Sequence, residues 1–73
     1  MSRYQFLKEN EDILLQFIKE GIISLNIIRD MEIYETFKSY KKQIQFKDRY
    51  IELANEFELS PNRIEQIILG MSK

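Results

Sequence analysis

The 73-residue chain has no cysteine and no histidine. These absences exclude disulfides, zinc fingers, histidine metal sites and every mechanism built on a Ser–His or Cys–His pair. Only two glycines and one proline interrupt it. With so few breakers, long helices are the default. The longest apolar runs are three residues, Ile13-Leu14-Leu15 and Ile67-Ile68-Leu69, far short of the ~20 that a membrane-spanning helix needs. The segment Met1–Glu9 lacks the apolar stretch of a secretory signal. The expected setting is cytoplasmic, away from membranes, and the lack of cysteine suits a reducing compartment.

What is present is apolar residue at 44 %, with 12 isoleucines against a single alanine. Such a content folds rather than staying disordered, and the isoleucine excess reads as a bias toward AT-rich codons. The length fits one domain, residues 1–73. A chain this small buries only about 60 % of its unfolded surface and is marginal as a monomer. Net charge is −1, so no strong overall field points at nucleic acid or membrane. The charge is uneven, however. Residues 1–37 hold four cations against seven acids, a net of −3, and residues 38–73 hold seven against five, a net of +2. A basic C-terminal half is consistent with nucleic-acid contact and equally with an unevenly charged, solvated surface.

Apolar residues recur at three and four, the helical period. The spacing predicts an all-α, four-helix compact domain. A first helix over 3–20 would turn Phe6, Leu7, Leu14, Phe17 and Ile18 inward, with Gly21 as its left-handed cap. Ser24 would cap a second helix over 25–42, striped by Ile27, Ile28, Met31, Tyr34 and Phe37. After Gln43-Ile44-Gln45, a third helix over 46–58 would present Phe46, Tyr50, Leu53, Ala54 and Phe57. Ser60 and Pro61 are the N-cap and first residue expected of a fourth helix over 61–71, with Ile64, Ile67 and Ile68 inward.

The segment from Tyr50 to Ile68 stands above background. Two helices that cross steeply through a short turn need a small residue where they touch, and Ala54 supplies it. They need an apolar plug in the turn, Leu59, and branched residues facing back from the second helix, Ile64 and Ile67. This pattern resembles a helix-turn-helix DNA-binding unit. Glu58 departs from it, since that position commonly holds glycine for its positive φ, and a side chain there costs of order 1 kcal/mol. With Met31-Glu32-Ile33-Tyr34, the basic stretch and Glu52-Leu53-Ala54-Asn55-Glu56-Phe57 ahead of Leu59-Ser60, the chain resembles small helix-turn-helix transcriptional regulators of bacteria and their mobile elements. Among these is the C-terminal DNA-binding part of the Mor phage activator family. The likeness covers residues 46–71, and residues 1–24 carry no family motif. The resemblance implies a dimer whose N-terminal part (1–42) pairs and whose C-terminal part reads DNA.

In that reading the last helix enters the major groove. Asn62, Arg63 and Gln66 are the base-contact candidates: Arg63 for guanine, and the two amides for adenine. Ser60, Lys41, Lys42, Lys47 and Arg49 are the phosphate-contact candidates. The lysines also fit a solvated helix end, and Arg63 a plain surface charge. Helices 1 and 2 carry more bulky apolar side chains than one small monomer easily hides, so part of that surface is expected to meet a second copy; the other reading is a compact four-helix monomer whose first helix packs on the helix-turn-helix unit. The rival class is a helical protein–protein interaction module whose degenerate helix-turn-helix binds a toxin or a polymerase subunit. RNA polymerase is also a candidate partner of the regulator. No catalysis, metal or cofactor is expected, because the carboxylates look like exposed helix charges and the chain is too short to enclose a cleft.

Overall fold

Three serines (Ser2, Ser24 and Ser60), one asparagine and two left-handed residues set where the helices begin and end. The computed structural model describes residues 1–40 and 46–73, with side chains described for 1–40 and 48–73. It is all-α among the described residues, with five helices: α1 Arg3–Glu9, α2 Glu11–Lys19, α3 Asn26–Ser39, α4 Phe46–Phe57 and α5 Pro61–Met71. The linker Gln43-Ile44-Gln45 lies outside the described residues.

The single helix expected over 3–20 is two helices, which corrects four to five. The break is at Asn10. Its side-chain amide donates to the Phe6 carbonyl at 2.8 Å, and its own N–H is shared between the Phe6 and Leu7 carbonyls at 3.2 Å. A short amide side chain competes with the helical ladder for backbone partners, and Asn10 sits at φ −112°, ψ 28°, outside the helical region. The kink changes which residues face inward. Leu14 is the one fully buried residue of α2 and α1 has none, while Phe6 and Phe17, expected inside, are exposed.

Gly21 closes α2 as expected. At φ 78° its N–H donates to Ile18 and the Ile22 N–H reaches back to Phe17, at 3.0 and 2.9 Å. These are the paired bonds of a Schellman cap. Ser24 Oγ accepts the Asn26 N–H at 3.1 Å at the start of α3. That helix ends at Ser39 rather than residue 42, because Tyr40 is extended at ψ 135°.

One apolar cluster holds the molecule together, contributed mainly by α3, α4 and α5. Ile33, Leu53 and Ile64, one from each helix, are completely buried. Met31, Tyr34, Phe37, Ala54, Ile67, Ile68 and Met71 surround them. The stripes drawn on the helical period miss Ile33 and Met71. No polar side chain is buried among the described residues. The α1 helix joins this core from outside. The Tyr4 ring tilts against Tyr34 with centroids 4.8 Å apart, its hydroxyl donates to Glu35, and Lys8 Nζ lies 3.5 Å from the same carboxylate. Burial, and then the Glu35 carboxylate, push the Tyr4 phenol up to about 12.

The turn after α4 has Glu58 at φ 57°, the strained left-handed conformation expected there. Glu58→Gly should raise stability by about 0.5–1 kcal/mol, since the relief of left-handed strain outweighs the added freedom of the unfolded chain; urea denaturation measures it. Tyr4 makes a second expectation. A phenol whose pKa is raised on folding contributes stability that is complete below its ordinary 10.0 and lost as pH climbs toward about 12. Denaturation midpoints compared at neutral pH and at about pH 11 should fall less for Tyr4→Phe than for the parent.

Candidate nucleic-acid interface

Positioning of the C-terminal helix pair starts with α4. Leu53 and Ala54 are buried in the core, to which Ala54 brings only a methyl group. The Ala54 carbonyl accepts the Leu59 N–H at 3.0 Å, a bond that spans five residues and closes the left-handed helix end at Glu58. Leu59, half-buried, packs against the core as the expected apolar plug. Ser60 is extended, and its Oγ accepts the Arg63 N–H at 3.1 Å, with Pro61 as the first residue of α5. That hydroxyl proton is left to donate outward.

The α5 helix is two-faced. Ile64, Ile67, Ile68 and Met71 are buried, while Asn62, Arg63, Glu65, Gln66 and Leu69 are exposed. Asn62 and Gln66 lie one turn apart on the same face, and Arg63 is adjacent. The three base-contact candidates therefore share one solvent-facing surface at the start of the helix, beside Ser60. Arg63 has no ion pair among the described residues. Leu69 adds an exposed apolar group on the last turns.

Of the phosphate-contact candidates, Ser60 and Arg49 have described side chains. Lys41 and Lys42 lie outside the described residues, and the side chain of Lys47 does too. Arg49 is half-buried, with its guanidinium 5.5 Å from the centroid of the Phe37 ring. Phe37 in turn stacks on Tyr50, with centroids 5.6 Å apart and planes within 12°. Arg49 is thus held on an aromatic shelf, a cation–π arrangement that orients it. Nearby, Lys38 Nζ sits 5.5 Å from the Tyr34 ring. Burial first, then the carboxylates of Glu56 and Glu52, push the Tyr40 phenol up. Those two acids are exposed on α4, so the end of α3 sees negative as well as positive charge.

Among the described residues no group of three or more acids could hold a metal ion, and no helix is long and apolar enough to cross a membrane. One feature does not show in the helical period: an apolar cleft between α1 and α2, bordered by Phe6, Ile13 and Phe17. The signal lay in the pair Ile13 and Phe17, four residues apart and to one side of Leu14 and Ile18.

No protein-family model matches this chain, and no curated protein or solved structure shows significant similarity to it.

The methyl-sized contact at position 54 makes a direct test. Ala54→Leu places extra carbon in a filled site and should cost about 1–3 kcal/mol, read as a lower thermal midpoint.

Proposed function

We propose that this chain is a sequence-specific DNA-binding transcriptional regulator in which α4 and α5 form a helix-turn-helix and α5 reads the major groove. The observation that carries the reading is the division of α5. Its isoleucines anchor it to the core, while Asn62, Arg63 and Gln66 stand together in solvent at its N-terminal end. These side chains have the donor and acceptor sets that recognise base edges: a guanidinium for the two acceptors of guanine, and amides for the donor–acceptor pair of adenine. Ser60, beside them, donates to a phosphate while its oxygen caps the helix. Lys41, Lys42 and Lys47 are further phosphate-contact candidates by their charge. Arg49, held over the Phe37 ring, is another.

Acting as a dimer, the protein would set two α5 helices on half-sites about 34 Å apart. The likeness to bacterial and mobile-element regulators of the Mor type agrees with this role and with a cytoplasmic setting. RNA polymerase is a partner compatible with it. The absence of a catalytic or cofactor role belongs to the same reading.

One observation favours a second reading, a protein-binding module without DNA. Glu52 and Glu56 are exposed on α4, the helix that would lie along the phosphates. A single experiment separates the two. Binding to duplex DNA, followed by fluorescence anisotropy across a salt series, should weaken with a log–log slope of about −0.9 per phosphate contact. On a selected site, Arg63→Ala should cost about 1–3 kcal/mol and relax the preference for guanine at one position. A slope near zero would refute DNA binding and favour the protein-binding module.

A further inference from the structure

We propose that the apolar cleft between α1 and α2 is a binding site for a small, neutral aromatic molecule that carries one hydrogen-bond donor. The cleft has a volume of about 320 Å³. Leu7, Leu14 and Ile23, buried or half-buried, form its floor. Phe6 from α1, with Ile13 and Phe17 from α2, forms its walls, exposed by 57, 55 and 41 %. The break at Asn10 creates the site, because it turns one continuous apolar stripe into two facing walls. Small ligands bind in concave, mostly apolar sites of a few hundred Å³ with a few polar groups.

Size selects the kind of occupant. At about 200 Å² per large side chain, the three wall residues leave roughly 300 Å² of apolar surface in water. A stable interface with another macromolecule takes about 800 Å² from each side. The cleft is too small for that, and large enough for a molecule lodged within it. At the ~30 Å³ that one water occupies in the liquid, it holds about ten or eleven non-hydrogen atoms.

Chemistry narrows the choice. Among the described residues no charged side chain lines the cleft, and an ion there would lose hydration without gaining a counter-charge. The ligand is therefore neutral. Each helix contributes one phenylalanine, and aromatic rings attract other ring systems beyond what area burial alone supplies. Asn10 is the single polar residue in the lining. Its Nδ2 already donates to the Phe6 carbonyl at 2.8 Å, which leaves Oδ1 as the acceptor for one N–H or O–H of the ligand. A fused bicyclic phenol has this size, this neutrality and this single donor.

The site does not depend on DNA binding, and it is tested on the whole chain without DNA. Calorimetric titration with 2-naphthol should show one site per chain with a Kd on the order of 100 μM, as expected for so few atoms. In methyl-resolved NMR spectra, the ring-current shifts should fall on Leu7, Ile13, Leu14 and Ile23. They should leave Ile51 and Leu69, exposed outside the cleft, unmoved. The donor-free 2-methoxynaphthalene should bind about 3–10-fold more weakly, and the anionic naphthalene-2-sulfonate at least about tenfold more weakly. Phe17→Glu, with its helical circular dichroism intact, should also lose at least about tenfold. Should that variant lose its helicity, the methyl shifts of the parent chain decide alone. Shifts at Ile51 and Leu69 as large as those in the cleft would mean general surface adhesion and overturn the proposal. So would cleft methyls that stay unmoved, as when a second copy of the chain closes the cleft. Equal binding of the sulfonate, the methoxy compound or a folded Phe17→Glu variant would overturn it too. Arg63→Ala should bind 2-naphthol like the parent chain, so failure of this site and failure of DNA binding are read separately.

Discussion

A single backbone hydrogen bond, from the Leu59 N–H to the Ala54 carbonyl, governs how the C-terminal half is built. It can form only if Glu58 takes a left-handed conformation, which carries the chain out of α4 and turns it back within three residues. Once the turn is closed, Leu59 is delivered to the core and Ser60 to the first turn of α5. Everything on the outer face of α5 follows from this. With Ile64, Ile67 and Ile68 bound to the core, the residues between them have only solvent to face. The strain at Glu58 is tolerated because packing of Leu53, Leu59 and Ile64 over-determines the turn.

The N-terminal third obeys a different constraint. Without long helices or a deep set of buried residues, it leans on α3 and α5 through a few exposed or half-buried contacts. Tyr4 meets Tyr34 and Glu35, and the Arg3 guanidinium lies over Gly70, where a Cβ would stand 3.3 Å from it. The division of labour is physical: α3, α4 and α5 make the core that fixes α5, while α1 and α2 keep Phe6, Ile13, Leu15 and Phe17 at the surface.

Much of the C-terminal half was legible residue by residue. The Ser60 cap, Pro61 as the first residue of α5, the positive φ at Glu58, the plug at Leu59 and the buried isoleucines are local consequences of local residues. So was the Schellman closure at Gly21. The N-terminal half was less legible. A continuous helix over 3–20 satisfied the apolar period, and nothing in that period reveals that Asn10 turns its amide onto the Phe6 carbonyl. Losing that one residue from the helix rotates Phe6 and Phe17 out of the expected interior. Arg49 shows the same limit on the candidate site. Its charge suggested a phosphate contact, but its stacking over Phe37 depends on α3 and α4 lying side by side.

The amino-acid sequence by itself determined the helical class, the placement of most caps and the polar character of the Asn62–Arg63–Gln66 surface. Each of these depends on interactions spanning about one helical turn, within reach of a pattern read along the chain. Only the tertiary structure decided that Ile33 and Met71 belong to the core, that Arg49 is held against an aromatic ring, and that Phe6, Ile13 and Phe17 border an open cleft. Those outcomes depend on which helices become neighbours. That choice is made by non-directional apolar burial summed over the whole molecule, to which residues far apart in the chain contribute on equal terms.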